Sequence, residues 1–180
     1  MNCLRGFGTL STAHVAAITI AALSVATGIR AQTAPQAPPP PPARGPASAL
    51  ALEAAQTAIA SCQHSGYNVA VTVVDSAGEV RLVLASDAAP QRAVDSSTGK
   101  ALTVIAFKLP SATVAQQAAS DPALAARIAA DPKLRARAGA LPLTVGSDLI
   151  GAIGVGGAPG GEKDEACAAA GLDKIKSRLK

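Results

Sequence analysis

Lys100, Thr103 and Phe107 stand at i, i+3 and i+7 in the stretch GKALTVIAF. A helix there puts an ammonium, a hydroxyl and a benzyl ring on one face. Ser96 extends that stripe backwards, while Ala101, Val104 and Ile105 fall on a different, apolar side. A polar stripe with one large ring beside a buried side suits the wall of a ligand cleft. The ammonium would meet a carboxylate, and the hydroxyl would donate to it or ligate a metal. The same spacing fits a solvated face with one packing phenylalanine, and spacing alone favours that plainer arrangement. His64 is the sole histidine beyond the first 31 residues, and imidazole is the side chain metals most often take. It would close the first helix, where an exposed imidazole suits the negative end of the dipole, and position alone favours that role.

Other constellations are weaker. Gly154-Val155-Gly156-Gly157 joins a strand to a helix, as phosphate-binding loops do. Pro159 breaks the GxGxxG pattern, and no parallel strand follows to complete a βαβ unit. What survives is a helix start whose N–H groups would hold a carboxylate; tight packing and a turn are the favoured account. Asp75 and Glu79 flank the first turn, where paired acids do acid–base work but are more often simply solvated. GxSxG is absent, and with His64 alone few serine–histidine–acid sets are available.

The elements that must position these groups are legible from periodicity. Leu52, Ala55, Ile59 and Cys62 predict an apolar stripe on a helix over Ser48–Ser65, stopped by Gly66. Val69–Asp75 is apolar on both faces and should be a central strand. Glu79–Ala85 returns after Ser76-Ala77-Gly78, with Val80, Leu82 and Leu84 alternating against Glu79 and Arg81. Gln91–Lys108 is a second helix, and Ser111–Ala119 a short third. Asp121-Pro122 and Asp131-Pro132 each place a capping acid before a first-turn proline, so each can begin a helix. Leu141–Val145 and Leu149–Gly156 form a second hairpin, and Lys163–Leu179 a last helix. Gly151, Ala152 and Gly154 leave the final strand without bulk, inviting close approach by a helix or a ligand. The order predicts an α+β fold, a mostly antiparallel sheet flanked by helices.

The chain has 180 residues, enough for one domain and appendages. Residues 1–31 read as an export signal, with Arg5 before an apolar run over Val15–Val25 and small-residue cleavage options after it. The run is too short for a stable membrane span, so a periplasmic or secreted location is expected. Residues 32–47 form a proline-rich, semi-rigid linker, leaving 48–180 as the folded domain. The net charge of +4 falls to near balance once Arg5 and Arg30 are set aside, and one tyrosine, two phenylalanines and no tryptophan supply few stacking platforms, so nucleic-acid binding is not expected. Of three cysteines, Cys3 would leave with the signal. Cys62 and Cys167 fit either a disulfide or two separately buried thiols.

Five segments in order, VAVTVVDSAGEV, SDAA, GKALTVIAF, IGAIGVGGA and DEACAAAG, resemble the GlcG/HbpS family of haem-binding and haem-degrading-type domains over about Ala49–Leu172. The resemblance implies a profilin-like fold, homo-oligomeric assembly and, in exported members, capture of haem. It puts Thr103 nearest the iron and Phe107 at the family's later aromatic position; in a haem site Lys100 or a basic neighbour would then face the propionates, with His64 the other candidate for the iron. Leu102 stands where the family often has a basic residue, and Gly139-Ala140-Leu141-Pro142 replaces its Gly-Gly-x-Pro. The expected function is an exported haem-binding protein for storage, sensing or degradation, a binding protein rather than an enzyme. The alternative is an accessory enzyme or binding protein for small hydroxy acids or corrinoids, with Lys100 holding a carboxylate.

Overall fold

The computed structural model describes residues 42–180. The expected signal segment and most of the expected linker lie outside them. Residues 42–47 run without helix or strand into α1 (Ser48–His64). β1 (Ala70–Asp75) and β2 (Val80–Ala85) follow, then α2 (Gln91–Phe107), α3 (Ser111–Ser120) and α4 (Pro122–Ala129). β3 (Ala140–Val145), β4 (Asp148–Gly156) and α5 (Gly161–Ile175) complete the order, with a 3-10 turn at Lys176–Arg178. The sheet order is β2-β1-β4-β3, and every neighbouring pair is antiparallel. This is the α+β architecture expected from the sequence. Among the described residues no helix is long and apolar enough to cross a membrane.

β1 is buried along its whole length because both of its faces are covered. Val71 and Val73 join Ile153 and Val155 of β4 in a core closed by α1 and α5. Val74 and Ala152 meet Ala101 and Val104 of α2 on the opposite face. On that same face the Thr72 hydroxyl bonds Ser97 of α2 at 2.7 Å. The sheet therefore sits between one helix and a pair of helices.

The last strand's missing bulk is used by a helix. A β-carbon at Gly154 would collide with the Ser97 carbonyl oxygen, and one at Gly156 would lie 2.7 Å from the Ala93 carbonyl oxygen. Both carbonyls belong to α2, so the glycines set how closely α2 lies on the sheet. Gly154→Ala should lower the unfolding free energy by about 1–3 kcal/mol, the usual cost of overpacking. Urea denaturation checks it; an unchanged midpoint would mean that α2 can lift off freely.

Four expectations need correction. Leu52 is 40% exposed, and the buried face of α1 is instead Ala51, Ala54, Ala55, Ala58, Ile59 and Cys62. α1 packs closely along α5, and alanines permit that approach where a leucine would hold the helices apart. Val80 is exposed too, because a bulge between Val73 and Val74 sets it opposite Val74, on the α2 side of edge strand β2. Leu82 and Leu84 keep the expected face. Asp75 is buried rather than solvated, its Oδ1 accepting from Ala77 N at 2.9 Å and Glu79 N at 3.0 Å, so it builds the turn.

The fourth concerns Asp131-Pro132, which starts no helix. Asp131 does cap, accepting from Lys133 N at 2.9 Å. The N–H that would close the first α-helical turn onto Asp131 O, Arg135 N, is taken by α2: it donates to Gly99 O at 3.1 Å and to Thr103 Oγ1 at 2.9 Å. Capture of that donor leaves a single turn and no helix. The remaining element ends agree with expectation or differ by at most four residues, the largest gap being the end of α5. The cysteine alternatives resolve as a disulfide between Cys62 on α1 and Cys167 on α5, with Cα atoms 5.6 Å apart.

Candidate functional site

With Ala101 and Val104 turned into the sheet, Lys100 points along the end of β4 towards the start of α5. Its Nζ donates to Val155 O at 3.0 Å and to Asp164 Oδ2 at 2.5 Å. Asp164 Oδ1 accepts from Ala158 N at 2.9 Å, which fixes the glycine-rich loop over the start of α5. Lys100 is 2% exposed and Asp164 3%. Burial pushes the lysine below its ordinary pKa and the aspartic acid above its own, and their mutual hydrogen bond opposes both shifts. Gly139 lies over the pair, where a β-carbon would sit 2.6 Å from Lys100 Nζ. The ammonium does meet a carboxylate, but it is the chain's own.

Beside this pair opens a recess of about 410 Å³, within the range of small-molecule sites. The 157–161 loop forms one wall. Arg92 and Asp95 come from α2, and Arg135 and Arg137 from the segment joining α4 to β3. Since Lys100 and Asp164 neutralise each other, three guanidiniums face one further carboxylate, Asp95. The recess is cationic and suited to an anion, above all a carboxylate, which guanidinium binds bidentately.

The structure separates the stripe predicted on α2. Lys100 lines the recess; Thr103 and Phe107 do not. Seven residues of helix span about 10 Å, and the 131–139 segment crosses α2 at Gly99 and Thr103. Thr103 is fully buried, and its hydroxyl donates to Gly99 O at 2.8 Å while accepting from Arg135 N. Phe107, half-buried, packs under the Arg127 guanidinium of α4, 4.8 Å from the ring centroid. His64 is exposed at the end of α1 and does not line the recess. Among the described residues no cluster of three or more histidine, cysteine or acidic side chains is placed to hold a metal.

Sequence reasoning missed Asp164, Arg92, Arg135 and Arg137. Arg135 and Arg137 did carry a signal. Alternate residues of an extended segment point the same way, but a helix expected from Asp131 would have dispersed them. Asp164 reads as an ordinary acid in a first helical turn, and nothing local ties it to a lysine on another helix.

The family described as haem degrading protein, HbpS-like, matches residues 47–173. No curated protein matches the chain. Among solved structures, one of HbpS is 31% identical, with 72% of this chain and 89% of that one covered and a TM-score of 0.66. A double mutant of Streptomyces reticuli HbpS is 29% identical over 79% of this chain and 97% of that one, with a TM-score of 0.68. A PduOC:heme complex is 20% identical over 73% and 94%, with a TM-score of 0.66, a likeness of fold.

Proposed function

This chain belongs to the HbpS-like haem-degrading protein family, and on that premise we propose that it binds haem. The observation that carries the reading is the arginine-lined recess beside the Lys100–Asp164 pair. The donors present fit the carboxylate edge of haem: Arg135, Arg137 and Arg92 hold the propionates, and Lys100 fixes the wall behind them. The lining offers no imidazole, thioether or free thiol, so the chain's part at this point is anion binding and orientation. Haem, when bound, supplies the iron and the porphyrin.

The protein acts as an exported, periplasmic or secreted binder, assembled as a homo-oligomer. A signal-like leader supports export, and so does the Cys62–Cys167 bridge, since disulfides persist in oxidising compartments. Exposed Val80 and Val83 on edge strand β2 support self-association. The small-hydroxy-acid reading draws on the same recess, whose volume also suits a small carboxylate. Adding haemin to the purified chain should give a saturable Soret shift, with glycolate neither displacing it nor raising the melting temperature. A spectrum equal to the sum of free haemin and protein would overturn the haem reading. A glycolate-induced rise in melting temperature would then favour the hydroxy acid.

A further inference from the structure

We propose that Thr103 is a positioning residue: its buried hydroxyl holds the 131–139 strap on which the anion-binding Arg135 and Arg137 are mounted. The inference rests on the haem reading only for the ligand used to probe it.

The hydroxyl's bonding leaves no donor over. A threonine hydroxyl has one proton, and here that proton goes to Gly99 O at 2.8 Å. Arg135 N occupies its oxygen at 2.9 Å, and the group is fully buried. The bonds are therefore an anchor between α2 and the strap. A second feature acts at the same place. A β-carbon at residue 99 would stand 2.7 Å from Arg135 Cγ and 3.0 Å from Lys133 O. Gly99 thus clears the path that Thr103 fastens. Arg135 N also donates to Gly99 O at 3.1 Å, so one strap N–H is shared between two acceptors from residues four apart on α2.

The strap's other end is tied as well. Gly139 N donates to Glu165 Oε2 at 3.3 Å, and Val155 N donates to Gly139 O at 2.8 Å. Between the ties, Arg135 and Arg137 are exposed and line the recess. Their backbone is fixed while their guanidiniums stay in water, the arrangement an anion clamp needs. A loosened strap would leave both cations on the protein and lose their shared aim, so affinity would fall without loss of charge.

The experiment compares the full chain with Thr103→Val, which keeps the shape and removes the hydroxyl, and Thr103→Ser, which keeps the hydroxyl. Amide hydrogen exchange at Arg135 and haemin titration are read on all three. Thr103→Val should speed exchange at Arg135 by about two- to tenfold, the range expected for one lost hydrogen bond. It should weaken haemin binding while leaving the Soret maximum of the bound form unmoved, and Thr103→Ser should restore both. Exchange in Thr103→Val equal to wild type overturns the proposal, as does a shifted Soret maximum, which would put Thr103 at the iron. Wild type that fails to bind haemin overturns the haem reading instead. The exchange arm then still decides whether Thr103 holds the strap.

Discussion

Reduction of the Cys62–Cys167 bridge should lower the unfolding free energy of the domain by about 4–5 kcal/mol. The bridge closes a loop of 105 residues, and in the chain-entropy account a loop of about 100 residues is worth roughly 4.7 kcal/mol. The effect is placed in the unfolded chain, which the bridge keeps compact. The native packing around the two sulfurs has little to lose, since Cys62 is fully buried and Cys167 nearly so. Guanidinium denaturation with and without dithiothreitol checks this on one unaltered sequence. The midpoint should fall, and the slope should steepen as the reduced chain unfolds to a more exposed ensemble. Equal midpoints would show that the bridge places no stabilising constraint on the unfolded chain.

The second large effect is at Lys100. Lys100→Met should cost about 3–5 kcal/mol, because it strands the Asp164 carboxylate in a buried site. Asp164 would keep only its bond from Ala158 N. The paired replacement Lys100→Met with Asp164→Leu should recover most of that loss, since a buried ion pair can be exchanged for apolar packing at little net cost. The double-mutant cycle in urea therefore separates the pair's structural part from ligand binding. If Lys100→Met alone proved neutral, the ammonium would not be compensating a buried charge, and its place behind the recess would need another account.

The fold was largely readable from the chain because its signals are local. The β-branched run at Val69–Asp75 predicts a central strand, and β1 is covered on both faces. The bare strand Gly151–Gly156 predicts close approach, and α2 supplies it. The misses occur where a distant partner overrides a local preference. Asp131-Pro132 carries a sound helix start, yet the Arg135 N–H goes to α2. Leu52 fits a helical stripe, yet small residues win the contact with α5.

At the site the limit was of the same kind. The types at Lys100 and Thr103 were legible as chemistry, and periodicity did put them on one helix. Which partners they meet depends on the strap and on the start of α5, which are distant in sequence. Arg135-Ala-Arg137 shows its alternation only if the segment is known to be extended. The paired Asp164 answers to no motif.

The central claim is that guanidiniums in the recess hold the carboxylates of haem. Its most direct test is a parallel titration of the full chain with haemin and with haemin dimethyl ester, whose propionates carry no charge. Loss of charge-assisted bonds of about 1.5–3 kcal/mol should weaken the ester by about tenfold or more. Arg135→Gln combined with Arg137→Gln should shrink that difference, leaving what Arg92 contributes. Equal affinity for haemin and its ester in the unaltered chain would contradict the claim.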